Sequence, residues 1–147
     1  MNEFEIVVVI DRPVTDVFAA LVDVDRTPDW NPGVTEVRRT SDGPMVVGST
    51  TVYVGRFLGR NFESPSKCTD YVADEKFISK SASGPFDLEV ANYLESVDGG
   101  TKLTTVYRGE SKGFFRLAEP VVVRLAKKQF ETAAESLKAL LEAGALP

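Results

Sequence analysis

The sequence contains no histidine and only one cysteine, Cys68. Losing histidine removes the commonest metal ligand and the usual partner of a serine or cysteine nucleophile. It also removes the side chain that normally titrates near neutrality. Histidine-ligated zinc hydrolases, Ser–His–Asp triads and histidine general bases are therefore excluded. Acid–base chemistry would fall to Asp, Glu, Tyr, Lys or bound water. A lone cysteine cannot form an internal disulfide, which favours a reducing compartment. Basic residues are also short: 17 Lys and Arg stand against 22 Asp and Glu, a net charge of -5. Arg38-Arg39 and Lys127-Lys128 are pairs and not a patch, so no nucleic-acid partner is expected. Long apolar runs are missing too. The longest near the start, Ile6 to Ile10, follows acidic residues and is far too short for a membrane span or a signal peptide. These absences predict a soluble, cytoplasmic protein with no bound metal and no cofactor.

What remains is ordinary globular material: 147 residues, 43% hydrophobic and 27% charged. That length predicts one domain, 1–147, with a real core. Residues 3–10 are β-branched or apolar at nearly every position, which suits a strand buried on both faces or at a sheet junction. Pro13 fits the first turn of a helix, and Val14, Val17, Phe18, Leu21 and Val22 continue it at helical spacing. Thr27 as N-cap and Pro28 as first helical residue predict a second, one-turn helix that Pro32 and Gly33 end.

From Val34 the pattern becomes short runs between turn residues. Strands are predicted at 34–40, 48–58, 62–72, 76–83, 86–96 and 101–111. Connections this short force antiparallel hairpins, hence a meander. After Gly113, Val122, Ala126, Phe130, Ala133, Leu137, Leu140 and Leu141 recur every three or four residues. Lys127 with Glu131 and Lys138 with Glu142 form i,i+4 pairs on the other side. One amphipathic helix from Pro120 to Ala143, about 35 Å long at 1.5 Å per residue, is expected, with Gly144 as its stop. The pattern does not decide whether Phe114 to Glu119 makes an earlier turn, because Pro120 disfavours helical geometry at Glu119.

The expected class is α+β: a curved antiparallel sheet of about seven strands, in the order β-α-α-β6-α, wrapped around a long C-terminal helix. In this setting several segments become informative together. Pro13-Val14-Thr15-Asp16-Val17-Phe18, followed by Asp23-Val24-Asp25-Arg26-Thr27-Pro28-Asp29-Trp30-Asn31-Pro32, is a helix and then a proline–tryptophan–asparagine–proline turn. Val47-Gly48-Ser49-Thr50 opens a strand. Phe57-Leu58-Gly59-Arg60 and Ser83-Gly84-Pro85-Phe86 are turns. Gly99-Gly100-Thr101-Lys102-Leu103-Thr104 enters the last strand, and Leu137-Lys138-Ala139-Leu140-Leu141-Glu142 ends the helix. In this order the chain resembles the START-like (SRPBCC, Bet v 1-like) superfamily, in its polyketide cyclase/dehydrase and lipid-transport branch. The resemblance covers nearly the whole chain and implies the helix-grip fold. That superfamily includes carriers of apolar ligands, aromatase/cyclases and regulators of other proteins. None of its catalytic signatures carries over residue by residue, so catalytic residues are not assigned.

Strand parity selects the inward side chains. Phe86, Leu88, Val90, Asn92 and Leu94 share one face, opposite Asp87, Glu89 and Glu95. Thr101, Leu103, Thr105 and Tyr107 share another. Asn92 is then a polar group on an apolar face, satisfied either by its neighbours or by a ligand. Tyr107 points either into a cavity or to its rim. On the strand from Gly48, Thr51, Tyr53 and Phe57 face inward in the preferred phase, with Gly55 leaving room and Arg56 outward; the opposite phase is the alternative. Ser64, Ser66 and Cys68 share a parity, as do Phe77, Ser79, Ser81 and Ser83. Facing the helix, these small residues would leave volume for a ligand; on an exposed face they would mean nothing. Trp30 anchors the short helix and can also wall the cavity. Cys68 reads as a small buried filler. Asp23, Asp25 and Asp29 read as solvated caps, and Gly99-Gly100 as a hairpin turn.

Three functions remain open. In the first, the chain binds, and in carrying form transports, a small hydrophobic, lipid-like or polyketide-like molecule. Its expected contacts are Trp30, Tyr53, Phe57, Phe77, Leu88, Val90, Asn92, Leu103, Thr105, Tyr107, Phe130, Ala133 and Leu137. Tyr53, Asn92, Tyr107 and Asn61 would orient the ligand, and Ala133 with Ala134 would leave space beneath the helix. In the second, which the resemblance implies, a cyclase or dehydratase works by positioning and carbonyl polarisation. In the third, the sheet binds another protein. Ligand identity and oligomeric state are not readable from the sequence.

Overall fold

The structure is a computed structural model describing residues 2–81 and 86–146. The chain runs β1 (Asn2–Ile10), α1 (Val14–Val22), a 3₁₀ turn (Val24–Arg26) and α2 (Thr27–Trp30). Then come β2 (Val34–Arg39), β3 (Thr50–Phe57), β4 (Arg60–Val72), β5 (Lys76–Ser81), β6 (Phe86–Val97) and β7 (Gly100–Ser111). A single turn, α3 (Phe114–Leu117), leads into the long α4 (Glu119–Glu142). The strands form one seven-stranded antiparallel sheet, ordered β1-β7-β6-β5-β4-β3-β2. From β2 to β7 each strand pairs with the next, and β1 takes the far edge by pairing with β7 from Asn2↔Gly109 to Ile10↔Thr101. This is the helix-grip architecture the sequence predicts.

Turn chemistry explains the meander. Leu58-Gly59 and Asp98-Gly99 are two-residue connections with both residues at positive φ (51° and 76°, 46° and 81°). Such turns match the twist of the flanking strands and favour glycine at the second position. The core sits between the inner face of the sheet and the helices. Ile10, Val17, Leu137 and Leu141 are almost wholly buried, and Phe18, Leu103 and Cys68 pack with them. At the other end, Phe57 and Val122 form a smaller cluster with Phe62, Phe86, Ala118 and Ala126.

Several local expectations are corrected. β1 is an edge strand and is not buried on both faces: Ile6, Val8 and Ile10 are buried, while Val7 and Val9 are 47% and 52% exposed. Pro13 stands just before α1 and its carbonyl accepts from Asp16 and Val17. Thr27 is already helical (φ -51°, ψ -40°) and makes no side-chain cap. The 3₁₀ turn runs straight into α2, so Thr27 never takes the extended backbone that N-capping needs. α4 starts at Glu119 despite Pro120, its carboxylate accepting from Asn2 Nδ2 and from Ser111 N at 3.4 Å. Phe114 to Leu117 does form an earlier turn. Of the two helix-surface pairs, Lys138–Glu142 forms at 2.9 Å, with Lys138 also donating to Val9 O. Lys127–Glu131 does not appear among the ion pairs of the described residues. Ser83, Gly84 and Pro85 lie outside the described residues.

Candidate functional site

β3 supplies Tyr53 and Phe57 to the inner face. Gly55, between them, sits where an added Cβ would lie 2.1 Å from the Gly33 carbonyl oxygen. The space at Gly55 is therefore filled by backbone: Arg56 N donates to that same carbonyl at 3.1 Å. Asn31 Oδ1 accepts from Gly33 N at 3.0 Å and holds the turn. From α4, the Gln129 amide fills the place a side chain at Gly33 would need. Helix, turn and sheet thus meet over one side of a cavity.

That cavity, of about 250 Å³, lies between the sheet and α4. The structure places Trp30, Tyr53, Phe57, Phe77, Leu88, Val90, Asn92, Leu103, Thr105, Tyr107, Phe130, Ala133, Ala134 and Leu137 on its wall. The preferred phase of β3 is the observed one, and Arg56 is exposed. Asn61 is exposed, pairs with Arg56 across the hairpin and does not reach the cavity. It is one residue out of phase with Phe62, which does.

The serines are part of the wall. Ser64, Ser66, Ser79 and Ser81 line it, and Ser64 and Ser81 share a hydrogen bond at 2.5 Å. In a packed interior these positions would hold side chains several atoms larger. Opposite them, three rings make a stack: Tyr107 on Phe130 at 4.1 Å between centroids and 13° between planes, and Phe4 on Tyr107 at 5.1 Å.

The polar groups are few and placed apart. Thr105 Oγ1 donates to Asn92 Oδ1 at 2.8 Å, and Asn92 Nδ2 donates to Phe77 O at 3.4 Å. The amide is therefore tied to its neighbours. Trp30 Nε1 is buried without a partner among the described residues. Burial pushes the Tyr53 phenol up to about 12, with the nearby Cys68 and Asp25 adding to it and Arg39 opposing. Burial raises the Tyr107 phenol as well. Both tyrosines stay neutral and able to donate at ordinary pH. Cys68 is 2% exposed and its thiol is raised by burial, as befits an inert filler. Among the described residues no cluster of carboxylates and cysteine could hold a metal ion.

Sequence reasoning missed Phe4, Phe62, Val122, Ala126 and Gln129 on the wall. Phe62 shares the parity of Ser64 and could have been included. Phe4 did have a signal, since Glu3-Phe4-Glu5-Ile6 alternates acidic and apolar residues before the valine run begins. Arg39 was also missed. It pairs with Thr51, whose side chain is buried, so it shares the inner face. Its Nε and Nη2 are buried without partners among the described residues, but it is not part of the cavity wall.

Residues 1–142 match the model of the family described as polyketide cyclase/dehydrase and lipid transport. The chain belongs to that family. Solved structures share its fold at low identity. A protein of Thermus thermophilus, TTHA0849, superposes with a TM-score of 0.84 at 15% identity, covering 97% of this chain and 99% of that one. A START superfamily protein from Mycobacterium smegmatis gives 0.81 at 16%, covering 96% and 97%. The Zhui aromatase/cyclase from Streptomyces gives 0.78 at 14%, covering 99% of both. No curated protein matches the chain. The family and these neighbours indicate a hydrophobic ligand-binding fold. No helix among the described residues is long and apolar enough to cross a membrane.

Proposed function

We propose that this family member binds, and hands on, a small uncharged molecule with an apolar body and at least one oxygen that accepts a hydrogen bond. The row of Ser64, Ser66, Ser79 and Ser81 carries this reading. It leaves volume where a core would be filled, opposite the Tyr107–Phe130 stack. Each 100 Å² of apolar ligand surface buried here would contribute about 2.5 kcal/mol. The oxygen would accept from Tyr53 or Tyr107, phenols on the wall that burial keeps protonated. Among the described residues the wall offers no buried cation or carboxylate to pair with a charged ligand, and Glu110, which lines it, is exposed.

A second reading, a cyclase or dehydratase, draws on the same donors polarising a carbonyl and on the fold shared with the Zhui aromatase/cyclase. Binding is preferred because the tyrosines are held neutral and the chain has no histidine to move a proton near neutrality. Titration with a neutral, environment-sensitive fluorophore tests the proposal. Saturable one-to-one enhancement supports it, and its absence sinks it. Replacing Tyr53, Asn92 and Tyr107 by Phe, Leu and Phe separates the two readings: a carrier loses affinity, whereas an enzyme loses turnover at nearly constant affinity.

A further inference from the structure

The stretch of α4 that lines the cavity is apolar at Val122, Ala126, Phe130, Ala133 and Leu137; its one polar member among the described residues is Gln129. Gln129 stands three residues after Ala126 and four before Ala133, on the helix face turned to the sheet, and is half-buried. An amide that gives up water in such a place needs partners in exchange. The protein supplies none, for Gln129 makes no hydrogen bond among the described residues. The other amides on the wall are all committed. Asn2 donates to Glu119, Asn31 Oδ1 accepts from Gly33 N at 3.0 Å, and Asn92 is tied to Thr105 and Phe77.

The seat of this amide is built. Across the gap between α4 and the turn after α2 it meets Gly33, where an added Cβ would fall 1.8 Å from Gln129 Nε2 and 2.8 Å from its Cδ. Gly33 is not among the glycines at positive φ, so the backbone does not demand glycine there. The missing side chain serves the approach of the amide. The turn beneath is fixed from both sides: Asn31 holds the Gly33 N–H, and Arg56 N donates to the Gly33 carbonyl at 3.1 Å. That carbonyl rests on Gly55, between Tyr53 and Phe57 on β3. Packing thus places Gln129 while its polar groups stay unspent, two N–H donors and one oxygen acceptor in a plane.

We infer that Gln129 determines which ligand the cavity selects, by pairing with a group that donates and accepts side by side, as the N–H and C=O of a lactam or a primary carboxamide do. The inference rests on the binding function proposed above and narrows its ligand. Tyr53 and Tyr107 ask only for an oxygen that accepts. Gln129 asks for a donor beside it, which separates lactams and carboxamides from ketones, ethers and esters of the same shape. A glutamine that merely filled the gap at Gly33 would be indifferent to that donor.

The test is calorimetric titration of the full chain with 2-quinolone and with N-methyl-2-quinolone, which share a ring system and a carbonyl and differ in the lactam hydrogen. The native chain should bind 2-quinolone about tenfold more tightly, the worth of one or two hydrogen bonds. Gln129→Met, of similar length and without the amide, should bring the ratio of affinities to about one, chiefly by weakening 2-quinolone. Gly33→Ala should lower the same ratio although the amide itself is untouched, because the new methyl takes its seat. Equal affinities in the native chain, or a preference that survives Gln129→Met, would overturn the inference. Binding of both quinolones without preference removes the role of Gln129 and leaves the ligand site standing. Failure of both quinolones and of the neutral fluorophore removes the site, and this inference with it.

Discussion

Thr105 donates its hydroxyl to the side-chain oxygen of Asn92 at 2.8 Å, from directly opposite positions on β7 and β6. Both residues are buried on the cavity wall. The pair fixes which end of the amide is donor and which acceptor, so Nδ2 is directed at the Phe77 carbonyl and presents its second hydrogen elsewhere. Thr105→Val leaves the Asn92 oxygen unpaired in an apolar setting. It should destabilise the protein by about 1–3 kcal/mol in urea unfolding. In the double variant with Asn92→Leu, the second change should cost less than it does alone, because no polar group is then stranded.

Gly55→Ala should be among the most damaging small substitutions. The new methyl would meet the Gly33 carbonyl oxygen at 2.1 Å and Phe62 Cζ at 2.8 Å. The carbonyl is backbone already bonded to Arg56, so it cannot move without breaking that bond. A loss of about 2–3 kcal/mol is expected, read from the denaturant midpoint.

Ser79→Leu separates a cavity from a packed core. In a packed core, adding this volume costs about 1–3 kcal/mol. Ser79 lines open space between Cys68 on β4 and Val90 on β6, so stability should hold or rise while fluorophore uptake falls. A large loss of stability would mean that the space is not available.

The tyrosines predict an alkaline limb. Their folded pKa values are raised above the ordinary value near 10, so the folded state retains protons the unfolded chain has lost. The stability they contribute is full below pH 10 and is lost as pH rises through the folded values, at up to about 1.4 kcal/mol per pH unit for each tyrosine. Tyr53→Phe should shallow that limb between pH 10 and about 12. Absorbance at the phenolate band would show the delayed ionisation.

Most of this architecture was legible because hairpin turns and parity are local. Asp98-Gly99 fixes one register, and on β6 the acids Asp87, Glu89 and Glu95 mark the outer face unmistakably. Parity fails where both faces carry the same chemistry. β1 reads as doubly buried because Val7 and Val9 are apolar although exposed, and that run outweighs the alternation of Glu3-Phe4-Glu5-Ile6, which points Phe4 inward. β2 reads as polar because Arg38 and Arg39 are adjacent cations, and nothing in that pair says that one turns inward. Thr27 looked like a cap because capping depends on the preceding turn, which the sequence does not reveal. Contacts between distant segments, such as Gln129 on Gly33, leave no local trace at all.

The proposed ligand site is the space behind Ser64, Ser66, Ser79 and Ser81. A native mass spectrum of gently purified protein, taken before and after incubation with neutral polycyclic and acyl-chain molecules, tests it most directly. A one-to-one adduct with an uncharged, oxygen-bearing apolar molecule, lost in Ser79→Leu, is expected. Bare protein mass throughout, with no adduct at any ligand concentration, would contradict it.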